Sequence, residues 1–164
     1  MNIRKTTMLD ADSVFAIYEF AREYMRQNGN PNQWENNRPS KESILKDIEN
    51  GDSYLIEEKG EIVGVFSFII GEDPTYRIIE NGEWHSDRTY GTIHKIASNG
   101  KASGVARACF EYCDKQIDYL RVDTHADNSP MRRVITSFGF VECGTIYVSN
   151  GARIAYDRER QKKS

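Results

Sequence analysis

Cysteine is scarce in this chain: three in 164 residues, an odd number. No Cys-x-x-Cys pair and no suitably spaced histidine complete a zinc site, so neither a disulfide framework nor a metal is expected. Cys109 and Cys113, four apart, read as small apolar residues on one helix face. Charge of a single sign is lacking too. The 22 basic and 25 acidic side chains leave a net charge of −3, mixed along most of the chain. A general nucleic-acid binder or a polybasic membrane binder carries the opposite bias. Long apolar runs are absent: the longest uncharged apolar stretch, residues 62–71, is about half of a membrane span. Met1-Asn2-Ile3-Arg4-Lys5 leads into no apolar signal segment, and a cytoplasmic protein is expected. The length suits one domain of ~150 residues that buries its core without staples.

What is present is punctuated periodicity. Residues 3–6 alternate as a short strand. A helix is expected from 10 or 12 to about 28, with Val14, Phe15, Tyr18, Ala21 and Met25 at helical spacing and Gly29 stopping it. A loop over 29–39 strands Trp34 among polar neighbours. Ser40 caps a second helix over 41–49, closed by Asn50-Gly51. Strands over 53–58 and 61–70 flank the hairpin signal Lys59-Gly60. Residues 71–90 form a long irregular segment holding Tyr76, Trp84, His85 and Tyr90, a length uncommon in loops without work to do. A strand over 92–97, a helix over about 103–116, a strand over 119–124 and a helix over 129–137 follow. Strands over 140–148 and 153–157 pair across Asn150-Gly151. The order β-α-α-β-β-β-α-β-α-β-β implies one domain over 1–157 and a basic tail over 158–164 that frays.

Two segments carry chemistry. In the loop over 98–104, Gly100, Ala102, Ser103 and Gly104 allow close backbone approach at a helix start, and Lys101 adds a cation. Unpaired N–H groups and the positive helix end suit an anion such as phosphate. Ala102 after Lys101 excludes the Walker pattern, no Gly-x-Gly exists for a dinucleotide fingerprint, and there is no Gly-x-Ser-x-Gly elbow. An ordinary strand-to-helix turn remains the alternative. The second segment ends a strand in Asp123, Thr124, His125, Asp127 and Asn128. Helix capping explains one of these polar residues, not five.

Together these segments resemble the GCN5-related N-acetyltransferase (GNAT) family over nearly the whole chain. Lys101-Ala102-Ser103-Gly104-Val105-Ala106 matches the family's Gln/Arg-x-x-Gly-x-Gly/Ala motif except for Lys in first place. Asn128 is followed eleven and twelve positions later by Gly139 and Phe140, the family's second spacing. The resemblance implies an α/β fold, a mixed, mostly antiparallel twisted sheet of about seven strands with helices on both faces. It implies acetyl-CoA as co-substrate, in a V-shaped opening between the strands at 92–97 and 119–124. Backbone amides of 102–107, from Ala102 to Arg107, would hold the pyrophosphate, with Lys101 neutralising phosphate charge. Ile96 would pair its backbone with the pantetheine arm and offer its N–H to the oxyanion formed at the thioester. Asn128 would bond the pantetheine.

The implied reaction is acetyl transfer to a primary amine of a small molecule or peptide, by direct attack on the thioester. An ammonium with a pKa near ~10 must first lose a proton. The resemblance offers Asp123, five positions before the motif Asn, or His94, on the strand before the phosphate loop. Ile135 stands where many members carry the Tyr that protonates the leaving thiolate. That departure keeps a rival open, a CoA-binding regulatory or interaction domain with little or no turnover. The acceptor site is expected from the 29–39 loop and the 71–90 segment, with Trp34, Tyr76, Trp84 and Tyr90 as walls and Glu83 as ammonium partner. No nucleic acid and no membrane are expected as partners, and exposed β edges near the C-terminal hairpin suit a homodimer.

Overall fold

Alternating strands and amphipathic helices assemble into one sheet with helices on both faces. The computed structural model describes residues 1–161. Its strands are β1 (Asn2–Lys5), β2 (Ser53–Glu58), β3 (Glu61–Ile70), β4 (Gly91–Ser98), β5 (Tyr119–Thr124), β6 (Val141–Val148) and β7 (Gly151–Glu159). The helices are α1 (Ala11–Gln27), α2 (Lys41–Glu49), α3 (Val105–Asp114) and α4 (Ser129–Phe138). The seven strands lie in the order β1-β2-β3-β4-β5-β7-β6. Every neighbouring pair is antiparallel except β4 and β5. Among the described residues no helix is long and apolar enough to cross a membrane.

Successive strand residues face opposite ways, and β2 shows it. Leu55 packs with Val14, Ile17, Tyr18, Ala21, Ile44 and Ile48 of α1 and α2. Its neighbour Ile56 packs with Val105, Cys109, Phe110 and Cys113 of α3 on the other face. A third cluster, Tyr76, Tyr90, Tyr119, Cys143, Ile146 and Ala155, seats the 71–90 segment on β5, β6 and β7. Ile135 is fully buried in the cluster shared with Phe110 and Phe140. Ile135→Ala should therefore destabilise the protein by about 3 kcal/mol through lost transfer energy and a cavity. Urea unfolding measures the cost, and acetyl-CoA affinity should stay unchanged in the folded fraction.

Several boundaries differ from expectation. Helix α3 begins at Val105 because Gly104 before it takes φ +77, outside the helical region. The β6–β7 turn is Ser149-Asn150, and Gly151 (φ +130) already pairs with Val148. The expected fraying from residue 158 is corrected. Arg158 and Glu159 complete the β5–β7 ladder opposite Leu120 and Tyr119, and the Arg160 amide donates to the Asp118 carbonyl at 2.8 Å. Arg158 also pairs with Asp114. The rest of that basic tail, 162–164, lies outside the described residues.

The feature that positions the site is a break in β4. His94 pairs with Ser67 and Ala97 with Val65, so β4 spends an extra residue against β3. Lys95 absorbs it at φ +54, strained for a non-glycine residue. The bulge is bolted down from the helices. The Tyr18 hydroxyl donates to the Lys95 carbonyl at 2.8 Å, and Lys95 Nζ donates to Ser43 Oγ and Asp47 Oδ2, both at 2.6 Å. Pairing of β4 with β5 ends at Ile93–Val122. Beyond that point the two strands part and leave an opening between them.

Candidate active site

One side of the opening is a cavity of about 520 Å³ bounded by α1, the end of β4, the α3 start and α4. The amides of Gly100 and Lys101 are occupied by Ser98 Oγ and Asn99 Oδ1, both at 3.1 Å. The next six, Ala102 through Arg107, have no protein acceptor among the described residues. The ladder resumes with Ala108 donating to the Gly104 carbonyl at 3.0 Å. Three of these amides open α3, where the helix dipole adds positive potential. No heavy atom lies within 4 Å of where a Gly104 Cβ would stand, so the approach is clear. The buried Asn30 side chain lines the same cavity, and its Oδ1 has no hydrogen-bond partner. Six free donors and an orphaned acceptor fit the pyrophosphate and the amide N–H groups of acetyl-CoA.

The residues expected for the cofactor divide by what they offer. Ala102, Gly104, Val105, Ala106 and Ile96 line this cavity. Val105 is buried in the core and offers only its amide. Lys101 and Ser103 are exposed beside the loop. The Arg107 guanidinium turns along the helix to Glu111 at 3.3 Å and over the Phe138 ring. The Asn128 side chain is largely committed elsewhere. Its Oδ1 caps α4 by accepting from the Met131 amide at 3.2 Å, and its Nδ2 donates to Gln33 Oε1 at 3.0 Å.

The other side is a cavity of about 650 Å³. The two share Met25, Ile96, Asn128 and Met131, so Ile96 stands where they meet. His94 and Asp123 both line the larger one, with Trp34 as a wall set edge-on to Tyr18. Sequence reasoning missed how each is held. His94 Nε2 lies 2.7 Å from Asp73 Oδ2, and the Tyr76 hydroxyl donates to Asp123 Oδ2 at 2.6 Å. Burial disfavours the Asp73 carboxylate, but hydrogen bonds from His94 and Thr75 outweigh it and hold that carboxyl at about 2. Burial pushes the Asp123 carboxyl up, against the pull of His94 when charged, of the Tyr76 hydroxyl and of Arg153. Gln33 ties the 29–39 loop across the opening, its carbonyl accepting from Arg153 Nη2 at 3.0 Å and Asn150 Nδ2 at 3.2 Å.

Three expected acceptor residues lie elsewhere. Glu83 is exposed and lines neither cavity. Trp84 packs on Tyr76 at 4.9 Å and gives its indole N–H to the Tyr76 carbonyl. Tyr90 is buried, its hydroxyl accepting from the Asp73 amide at 2.7 Å. The reason is Arg121, buried on β5, whose guanidinium lies 4.1 Å from the Trp84 ring and 3.9 Å from the Tyr90 ring. These aromatics shelter a buried cation. The Tyr76 ring is likewise buried, and only its hydroxyl serves the site. The 71–90 segment also brings His85 to Cys143 and Asp157, a grouping not visible in the cysteine spacing. Their own hydrogen bonds close it: His85 Nδ1 lies 2.7 Å from Asp157 Oδ1 and 3.3 Å from Cys143 Sγ. It fastens the segment to β6 and β7.

No curated protein sequence matches the chain. The fold superimposes on a GNAT-family acetyltransferase from Streptococcus agalactiae 2603 with a TM-score of 0.90 and 27% identity, covering 98% of this chain and 96% of that one. A GNAT-family acetyltransferase from Listeria monocytogenes 4b F2365 gives 0.73 at 17% identity over 97% and 94%. The ribosomal-protein-alanine N-acetyltransferase of Brucella melitensis gives 0.68 at 18% identity over 98% and 100%. The last two show a shared fold. The family model described as "Acetyltransferase (GNAT) domain" matches residues 1–141. The chain belongs to the GNAT acetyltransferase family.

Proposed function

We propose that the protein moves an acetyl group from acetyl-CoA to a primary amine of a small molecule or peptide by direct attack on the thioester. The observation that carries this reading is a pair of cavities that share Ile96, one beside six unpaired amides at the start of α3 and the other lined by His94 and Asp123. Acetyl-CoA supplies the activated acyl group; the chain supplies binding, charge and a proton acceptor. Asp123 offers a half-buried carboxyl to the incoming ammonium. The Asp73 carboxylate holds the proton of neutral His94 on Nε2, which leaves Nδ1 with a lone pair to take the amine proton. A thiolate with a pKa near ~8.5 leaves without an acid, so buried Ile135 is tolerable at its position.

Calorimetric titration with acetyl-CoA, followed by thiol release over a panel of amines, tests the proposal. Affinity of ~100 μM or tighter, at least about 5.5 kcal/mol, with amine-dependent release supports it. Binding without turnover of any amine would instead favour the regulatory reading that Ile135 motivates. No binding up to ~1 mM would remove the cofactor assignment itself.

A further inference from the structure

We infer that the acceptor is an amine that also carries an oxyanion, and that Arg153 and Arg38 form the subsite that holds it. The inference rests on the transferase reading and adds the class of acceptor. Two arginines are buried in this protein, Arg121 and Arg153. Arg121 is sheltered by the aromatic faces of Trp84 and Tyr90. Arg153 has no such cover. Its Nη1 donates to the Ala152 carbonyl at 2.9 Å, and its Nη2 to the Gln33 carbonyl at 3.0 Å and Asn150 Oδ1 at 2.9 Å. All three acceptors are neutral. Arg38 bonds only a hydroxyl, Ser149 Oγ at 2.5 Å. Among the described residues no carboxylate lies within 4.0 Å of either guanidinium.

A buried cation without an anion is costly, and a second cation beside it adds to the cost. Burial lowers the Arg153 pKa; Asp123 opposes that from beyond ion-pair range, Arg38 lowers it further, and Glu35 opposes. Holding the Gln33 loop explains the donors but does not require the charge, since a neutral amide also donates to carbonyls. Both arginines line the cavity that holds His94 and Asp123. That cavity therefore offers guanidinium groups with no carboxylate in direct contact, together with the Asp73 and Asp123 carboxyls. An amine that bears a carboxylate or phosphonate matches both sets of groups, and its oxyanion accepts the planar, forked donors of arginine. At about 650 Å³ the space suits a small molecule of this kind.

The test uses L-amino acids beside their α-carboxamides, aminoalkylphosphonates, and benzylamine and spermidine as amines without an oxyanion. Thiol release from acetyl-CoA gives kcat/KM for each. Calorimetry of N-acetyl amino acids against their amides, on the CoA-loaded protein, gives binding apart from turnover. The acids should exceed their amides by at least about tenfold in kcat/KM or product affinity. Arg38→Gln, which breaks only the bond to Ser149, and Arg153→Lys should each bring that ratio toward one. The carboxylate and phosphonate arms show which oxyanion is preferred. Equal use of acids and amides, a preference for benzylamine or spermidine, or an acid preference that survives both substitutions would overturn the subsite and leave the transferase standing. Failure to bind either product series would also overturn it. Failure to bind acetyl-CoA would instead remove the transferase reading.

Discussion

Gly104→Glu should abolish acetyl-CoA binding while the fold survives. Gly104 precedes α3 with φ +77, and open space surrounds the position of its absent Cβ. A Cβ there meets no atom, so the cost to folding is conformational, about 1 kcal/mol for an L-residue in this region. For a domain of this length that corresponds to a loss of roughly 3 °C in Tm. Binding should suffer far more. The new carboxylate stands at the positive end of the helix, beside the free amides of 102–107, and competes for them with the pyrophosphate. Affinity should fall more than ~100-fold, about 2.7 kcal/mol. Gly104→Asn isolates the cause, because Asn tolerates the left-handed region and brings no charge. It should weaken binding by less than about tenfold. Parental affinity in the Glu variant would mean that the phosphates do not sit at this loop.

The turn with free amides at 102–107 was readable because its geometry is local. Glycine and small residues at a strand-to-helix turn leave the amides open, and no distant partner is needed. Helix α2 and strands β2 and β3 fall at their expected bounds for the same reason: Ser40 caps, Lys59-Gly60 turns, and nothing remote competes. The other half of the opening depends on the order of strands in the sheet. Asp73 and His94 are 21 residues apart, and Tyr76 and Asp123 are 47 apart. Each pair meets only because the 71–90 segment folds back over β4 and β5. Trp84 and Tyr90 looked like cavity walls while nothing in the sequence said that Arg121 would be buried and need their rings. Arg153 carried the opposite ambiguity, since a charged residue on a hairpin strand reads as solvated. Lys95 shows the limit most directly. A bulge carried by a non-glycine residue at positive φ has no local signature, yet it marks where β4 departs from β5.

His94→Gln and Asp123→Asn should separate two roles that spacing alone left level. Gln in place of His94 keeps an amide for Asp73 but cannot accept a proton, so kcat/KM should fall by ~10² to 10⁴-fold. The acidic limb of its pH profile should vanish. Asp123→Asn should instead raise KM for the amine and leave that limb in place, because the group removed attracts the ammonium rather than deprotonating it. Stability gives Asp123→Asn a second signature. In the folded protein burial raises the Asp123 carboxyl above its ordinary value, so the fold favours the protonated form. That contribution is complete at pH below the unfolded value and is lost as pH rises through the folded one. Once pH exceeds the folded value the ionised carboxylate is thus a cost, and Asn, still able to accept from Tyr76, removes it. The variant should have a higher Tm than the parent at high pH and lose that advantage as pH falls. A variant that loses activity while gaining stability only at high pH marks a carboxylate kept ionised for binding. If the acidic limb survives His94→Gln and disappears in Asp123→Asn, the roles are exchanged. If neither substitution moves it, water or another group takes the proton.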